Sequence, residues 1–338
     1  MFYAMIRAAL AIFRILPALL LYTSPACAIM GGAGSDPNTL DSPWAGVGSI
    51  TVRNGGIYSG ALIGPRHVLT AAHAVAGIPD PAADITFNLN YGGRLSHRFR
   101  ARAVHILPGF QGARPGPGGV WFGDMAVVEL AENVPKGVPI YEMYTLPSLG
   151  LPRDTTLTLV GYGAHGDGFG ELAAKGDPGV KRVGQNRLEA QIGQRGSSVP
   201  EVFVFGFDAP PGGPTANAAP RALHAEAGFA GGDSGSPVFV LQDHVWKILG
   251  IATFNAGTPA SRGSGVKFGA IDGGTFVAPH MDWIESVLRA DPKPSVPEEV
   301  PTGAPAPALP EMNAGVLILA GLALLIRLAS LAGSRTGR

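Results

Sequence analysis

A single cysteine, Cys27, occurs in the 338 residues, so no disulfide can join two segments of this chain. Charge is scarce too: 15% of residues are Asp, Glu, Lys or Arg, and the two signs balance at 25 each. A neutral chain with no basic stripe has no electrostatic footprint for nucleic acid. Apart from His73, the histidines are His67, His97, His105, His165, His224, His244 and His280, and none stands in a metal-ligand spacing such as H-E-x-x-H. No metal or other cofactor is expected. No internal repeat is visible, and long apolar runs are confined to the two ends of the chain.

Glycine and proline are abundant instead, at 49 and 30 residues. With so little charge, that composition favours a turn-rich β protein over a helical one. The length suits one large or two small domains plus appendages.

The appendages are marked. Met1–Arg7 is short and basic, Ala8–Tyr22 is apolar apart from Arg14, and Ala26-Cys27-Ala28 is a small-residue cleavage site. Residues 1–28 therefore read as a signal peptide and the protein as exported to the cell envelope or beyond. A retained membrane anchor is the alternative. Ser24-Pro25-Ala26 makes a poor lipobox, which argues against lipid attachment at Cys27. Cleavage after Ala28 removes that cysteine, so the mature protein is held by burial and backbone pairing alone.

At the other end, residues 290–311 hold Pro292, Pro294, Pro297, Pro301, Pro305, Pro307 and Pro310 and read as an extended spacer. Residues 312–331 are apolar with no polar face and span a membrane if Arg327 snorkels. Arg335 and Arg338 in the basic tail, 332–338, favour a cytoplasmic C-terminus. Leu309-Pro310-Glu311-Met312, the apolar run and the arginines resemble bacterial C-terminal sorting signals of the PEP-CTERM type. The second proline of that motif is missing here. The resemblance implies a sorting enzyme acting on the tail, and permanent anchoring by the C-terminal helix is the alternative.

Between the ends, apolar runs are broken by Gly, Pro and Asn. Val47–Val52, Ile57–Ile63, His67–Leu69, Ile85–Leu89, Phe99–Ile106 and Met125–Leu130 read as strands of a first barrel, with Asn54-Gly55-Gly56 as a hairpin turn. Thr155–Tyr162, Arg187–Ile192, Val202–Phe205, Val238–Leu241, Trp246–Phe254, and Phe268–Ile271 with Thr275–Val277 suit a second. Residues 132–154 are the expected crossover. His280–Arg289 reads as a closing helix, with Met281, Ile284, Val287 and Leu288 at helical spacing.

The most informative stretch is Gly231-Gly232-Asp233-Ser234-Gly235-Ser236-Pro237. A serine between Asp and Gly, after two further glycines, is an arrangement for an exposed nucleophile. Gly232 lets its N–H approach a substrate carbonyl closely, and the N–H groups of Gly232 and Ser234 are placed to form an oxyanion hole. A serine hydroxyl needs a base, and the base an orienting carboxylate.

Thr70-Ala71-Ala72-His73, Asp124-Met125-Ala126-Val127 and Gly232-Asp233-Ser234-Gly235-Ser236-Pro237 each resemble a signature segment of the chymotrypsin-like serine proteases, and they follow in that family's order. The resemblance spans residues 29–289. It implies two antiparallel six-stranded β-barrels with a C-terminal helix and the active site in the cleft between them. It also implies Ser234 as nucleophile, His73 as general base and then acid, and Asp124 as the group that orients His73. Cleavage after Ala28 exposes Ile29-Met30-Gly31-Gly32. This is similar to the start of an activated chain in that family, which implies that the new amine pairs with Asp233. The same comparison puts Gly228 at the base of the substrate pocket, with Phe229 and Phe254 as lining, Gly274 as an open wall, and Thr253–Asn255 beside the substrate backbone. With no acid at 228, a preference for Lys or Arg is not expected. Asn255 stands where the family usually has Gly. The expected partner is a protein or peptide substrate. A non-catalytic envelope peptide-binding module and a serine esterase are the alternative readings.

Overall fold

A computed structural model describes residues 29–290, apart from 33, 54, 113–121, 146–149, 170–171, 173–174, 195, 210–225 and 257–266. The leader expected at 1–28, all of the spacer at 290–311 except Ala290, the apolar segment at 312–331 and the tail at 332–338 lie outside the described residues. Among the described residues, no helix is long and apolar enough to cross a membrane.

After a short strand β1 (Gly34–Ser35) come β2 (Val47–Val52), β3 (Ile57–Gly64), β4 (His67–Thr70), β5 (Ile85–Leu89), β6 (His97–Ile106) and β7 (Ala126–Leu130). These last six close into a barrel in the order β2-β3-β4-β7-β6-β5, with every pair antiparallel. Every strand expected in this half is present. The reason is the short apolar runs, which place Val47, Ile50, Leu62, Val68, Phe87 and Val128 in one fully buried cluster. Each such side chain contributes roughly 1.5–3 kcal/mol on burial. Closure also removes the sheet edges. Two short helices, α1 (Ala72–Val75) and α2 (Pro81–Asp84), lie between β4 and β5.

The second half contains β8 (Glu142–Met143), β9 (Thr156–Gly161), β10 (Arg182–Arg187), β11 (Ala190–Gly193), β12 (Pro200–Phe207), β13 (Pro237–Gln242), β14 (Val245–Ala256) and β15 (Ala270–Phe276). With β1 they make a nine-stranded sheet in the order β1-β10-β9-β13-β14-β15-β12-β11, and β8 adds to β14 in parallel. A 3₁₀ turn, Ala278–His280, leads into helix α3 (Met281–Ala290), which buries Ile284 and Val287. A closed six-strand barrel, a second large sheet and a closing helix are consistent with the trypsin-like two-barrel plan.

Two local readings differ from the structure. The single strand expected at Arg187–Ile192 is in fact two, β10 and β11. The buried positions of β10 are Arg182, Gly184 and Asn186, so the strand carries no apolar period to read. Just before it, Lys181 is fully buried, donates to Trp44 O at 2.7 Å and pairs with Asp36 at 3.3 Å. The two pieces expected around 268–277 are one continuous strand, β15. Its Asp272-Gly273-Gly274 centre breaks the pattern because the sheet is tight there. A Cβ at Gly274 would strike Ile251 O and the Phe203 ring, and one at Gly273 would strike the Phe254 ring.

Candidate active site

Strand pairing explains why two residues far apart in sequence meet. β4 and β7 are antiparallel, with Thr70 opposite Ala126, so the residues just after β4 lie beside those just before β7. Ala71 and Ala72 are fully buried and lead into the single turn of α1, which carries His73. Asp124, with no exposed surface, precedes β7. Its Oδ1 accepts from the His73 backbone N–H at 2.9 Å, and its Oδ2 lies 2.6 Å from His73 Nδ1. Both carboxyl oxygens are thus acceptors. The ring presents Nδ1–H to Asp124 and turns the Nε2 lone pair outward.

Ser234 lies in the loop before β13. Gly235 brings that loop against the end of β4: at φ +81, a Cβ there would strike Thr70 Oγ1 and Ser59 O. Only glycine permits both the dihedral and the approach. Ser59, fully buried in β3, ties the loop down from the first barrel. Its N–H donates to Ser234 O at 2.9 Å, and its Oγ donates to Gly232 O at 3.1 Å and accepts from Tyr162 N–H at 3.0 Å. From the other side, Gly235 N–H donates to Ala252 O at 2.8 Å and Ala252 N–H to Ser236 O at 2.9 Å. So held, Ser234 Oγ stands 2.8 Å from His73 Nε2. The N–H groups of Gly232, at φ +104, and Ser234 donate to no acceptor among the described residues. The three side chains named from the sequence therefore form one hydrogen-bonded line, and two backbone donors flank its end.

Asp233 points the other way, into the protein. It is fully buried and accepts from Gly163 N–H at 2.8 Å and Ala230 N–H at 3.0 Å. Burial pushes its carboxyl up to about 7 against those two bonds. The Arg182 cation and the Ser236 hydroxyl also act against that rise. Ile29 is also fully buried, packed among apolar residues of the second sheet, and Gly228 N–H donates to Met30 O at 2.9 Å.

The expected pocket residues are spread over three segments. Phe229 is buried, with its ring edge-on to Phe205 at 5.3 Å. Thr253 is an extra residue in β14, at the register shift between Ala252 and Phe254, and its Oγ1 has no hydrogen-bond partner among the described residues. Phe254 is half-buried and Asn255 exposed. Gly274 faces Ile251 O and Phe203, inside the sheet. Asp272, not expected at the site from the sequence, lies fully buried against Gly228: a Cβ at Gly228 would come 2.7 Å from its Oδ2. Its signal in the sequence is an acid inside an otherwise apolar run, followed by two glycines. Nothing in its local sequence marks Ser59 as part of the site. Among the described residues, no group of three or more His, Cys, Asp or Glu could hold a metal ion.

No family model matches the chain, and no curated protein does. Among solved structures it is similar to the secreted serine protease VesC from Vibrio cholerae, at 17% identity and a TM-score of 0.49. The match covers 75% of this chain and 47% of that one, so the chain spans about half the length of that protein.

Proposed function

We propose that this chain is an exported serine endopeptidase that cleaves peptide bonds through an acyl-enzyme. One observation carries the reading: Asp124, His73 and Ser234 stand in line at 2.6 and 2.8 Å, beside two backbone N–H groups with no acceptor among the described residues. Ser234 Oγ attacks the scissile carbonyl carbon as His73 Nε2 takes its proton. The carbonyl oxygen, now an oxyanion, is held by Gly232 and Ser234 N–H. Asp124 keeps Nδ1–H in place and stabilises the imidazolium. His73 then gives the proton to the leaving amine. Water, deprotonated by the same ring, attacks the acyl carbon and frees Ser234. A fluorophosphonate probe should label Ser234, and a peptide library should be cut. Failure of both removes the proposal.

Ser59 acts through the loop rather than on substrate. Ser59→Ala removes the bond to Gly232 O and leaves the buried Tyr162 N–H without its acceptor. An unsatisfied buried donor costs about 1–3 kcal/mol. The expected result is a lower Tm together with a kcat reduced by roughly tenfold at nearly unchanged KM. A KM effect with intact kcat would show that the loop is set by other contacts.

Export, from the leader at 1–28, and retention or sorting through the C-terminal segment remain part of the proposal and rest on sequence. Cleavage after Ala28 is proposed to activate the enzyme. Ile29 has φ 53 in the intact chain, a region that β-branched residues rarely adopt. That dihedral ceases to exist once the preceding peptide bond is cut, so cleavage releases the strain. The new amine would then supply a cation for buried Asp233.

Stability should depend on pH as a consequence. Asp233 binds its proton more tightly folded, up to about 7, than unfolded. Its contribution is therefore full below the unfolded carboxyl range, near 3.9, and is lost as pH rises toward 7. Tm of the uncut chain should fall over that interval, and less so after cleavage. N-terminal sequencing of the secreted protein should read Ile-Met-Gly-Gly. An active protein that starts elsewhere, or an identical pH slope in both forms, counts against activation by this cut.

A further inference from the structure

Beside Ser234 two chain segments run close together. One is Gly228–Gly232, leading into the nucleophile. The other is Thr253–Asn255, which follows the Ala252 backbone bonds to Gly235 and Ser236. β15 runs along the second segment, with Gly274 opposite Ala252, Gly273 opposite Phe254 and Asp272 opposite Asn255. The two segments and β15 bound the space beside the nucleophile.

That space is bridged. Asn255 Nδ2 donates to Phe229 O at 3.3 Å and also to Asp272 Oδ1. Asp272 Oδ2 in turn accepts from Phe229 N–H at 2.9 Å. The exposed Asn255 thus reaches across to the opposite segment and covers a fully buried acid. The Phe229 ring, packed on Phe205, leaves only its backbone facing the bridge. Burial pushes Asp272 up to about 7, with neighbouring Asp233 adding to the rise. A covered acid of this kind can stay buried without a cation.

A long side chain entering here meets a carboxamide held by two acceptors. A large apolar one finds polar groups where it needs dry surface. A cationic one must first displace Asn255 to reach the carboxyl. We propose that Asn255 is the specificity-determining residue of this site: its carboxamide, stretched between Phe229 O and Asp272, closes the pocket beside Ser234 to all but small uncharged residues and keeps Asp272 as a concealed cation site. The proposal rests on the reading of Ser234 as the protease nucleophile.

The test is a series of peptides varied only at the residue before the cut, given to the wild type, Asn255→Gly and the double variant Asn255→Gly/Asp272→Asn. Fluorophosphonate labelling counts the active sites in each. The wild type should favour Gly and Ala over Phe, Lys and Arg by about tenfold or more in kcat/KM. Asn255→Gly should raise Lys and Arg relative to Ala by about tenfold or more, and the double variant should lose that gain. A labelled Asn255→Gly enzyme with an unchanged profile overturns the proposal alone. So does a wild type that cleaves after Lys, Arg or Phe as well as after Ala, a measurement that stands even if the variants do not fold. No label and no cleavage in the wild type overturns the nucleophile assignment, and this proposal with it.

Discussion

Ser234→Ala is expected to reduce kcat by about 10⁶-fold while leaving the fold intact. The hydroxyl oxygen is the atom that attacks, and no neighbour replaces it. His73 and Asp124 act only by passing a proton to and from that oxygen, so adding His73→Ala to the variant should cost little more. Stability should hardly change. The Ser234 side chain is half-exposed and bonds to His73 Nε2, whereas the loop is held by backbone contacts that the substitution keeps, including Ser59 N–H to Ser234 O. Substitutions away from core and buried networks typically stay within about 0.5 kcal/mol. Kinetics with active-site titration, beside a circular-dichroism melt, decide it. A folded variant that keeps a substantial share of parental cleavage would sink the assignment.

Asp124→Asn is expected to lower kcat by about 10⁴-fold with the geometry preserved. Asp124 has no exposed surface, and both its oxygens accept from the same residue, the backbone N–H and Nδ1 of His73. A carboxamide has one acceptor oxygen and one donor NH₂, so it cannot serve both. If its oxygen stays with the backbone N–H, its NH₂ faces Nδ1, which must give up its proton and become an acceptor. The proton then sits on Nε2 and points at Ser234 Oγ. That ring can no longer accept the hydroxyl proton, although every heavy atom is where it was. The expected signature is a collapse in kcat with KM nearly unchanged, and a parallel loss in the rate of fluorophosphonate labelling. A labelling rate equal to the parent's would mean that Asp124 is structural.

The strands of the first barrel were legible because most are short, nearly continuous apolar runs buried on both faces and bounded by Gly, Pro and Asn, while β6 alternates buried and exposed positions along part of its length. The line Asp124–His73–Ser234 was legible for a different reason. Its Ser234 and His73 segments carry small residues where space is tight, as Gly235 against Thr70 and the fully buried Ala71 and Ala72 beside His73 illustrate. β10 was not legible, since it buries Arg182, Gly184 and Asn186 and satisfies them by pairing rather than by apolar contact. Asn186, for instance, donates to Gly206 O and Ala227 O at 2.7 Å each.

The amino-acid sequence by itself determined a β-rich chain with a readable first barrel, a closing helix and three chemically matched segments, because periodicity and local crowding are properties of neighbours in the chain. Only the tertiary structure decided that Ser59 anchors the nucleophile loop and that Asn255 covers Asp272 beneath Gly228. Those contacts depend on which strands pair and in what register. Register is set jointly by burial across the whole sheet, and a slip of one residue turns every side chain to the opposite face.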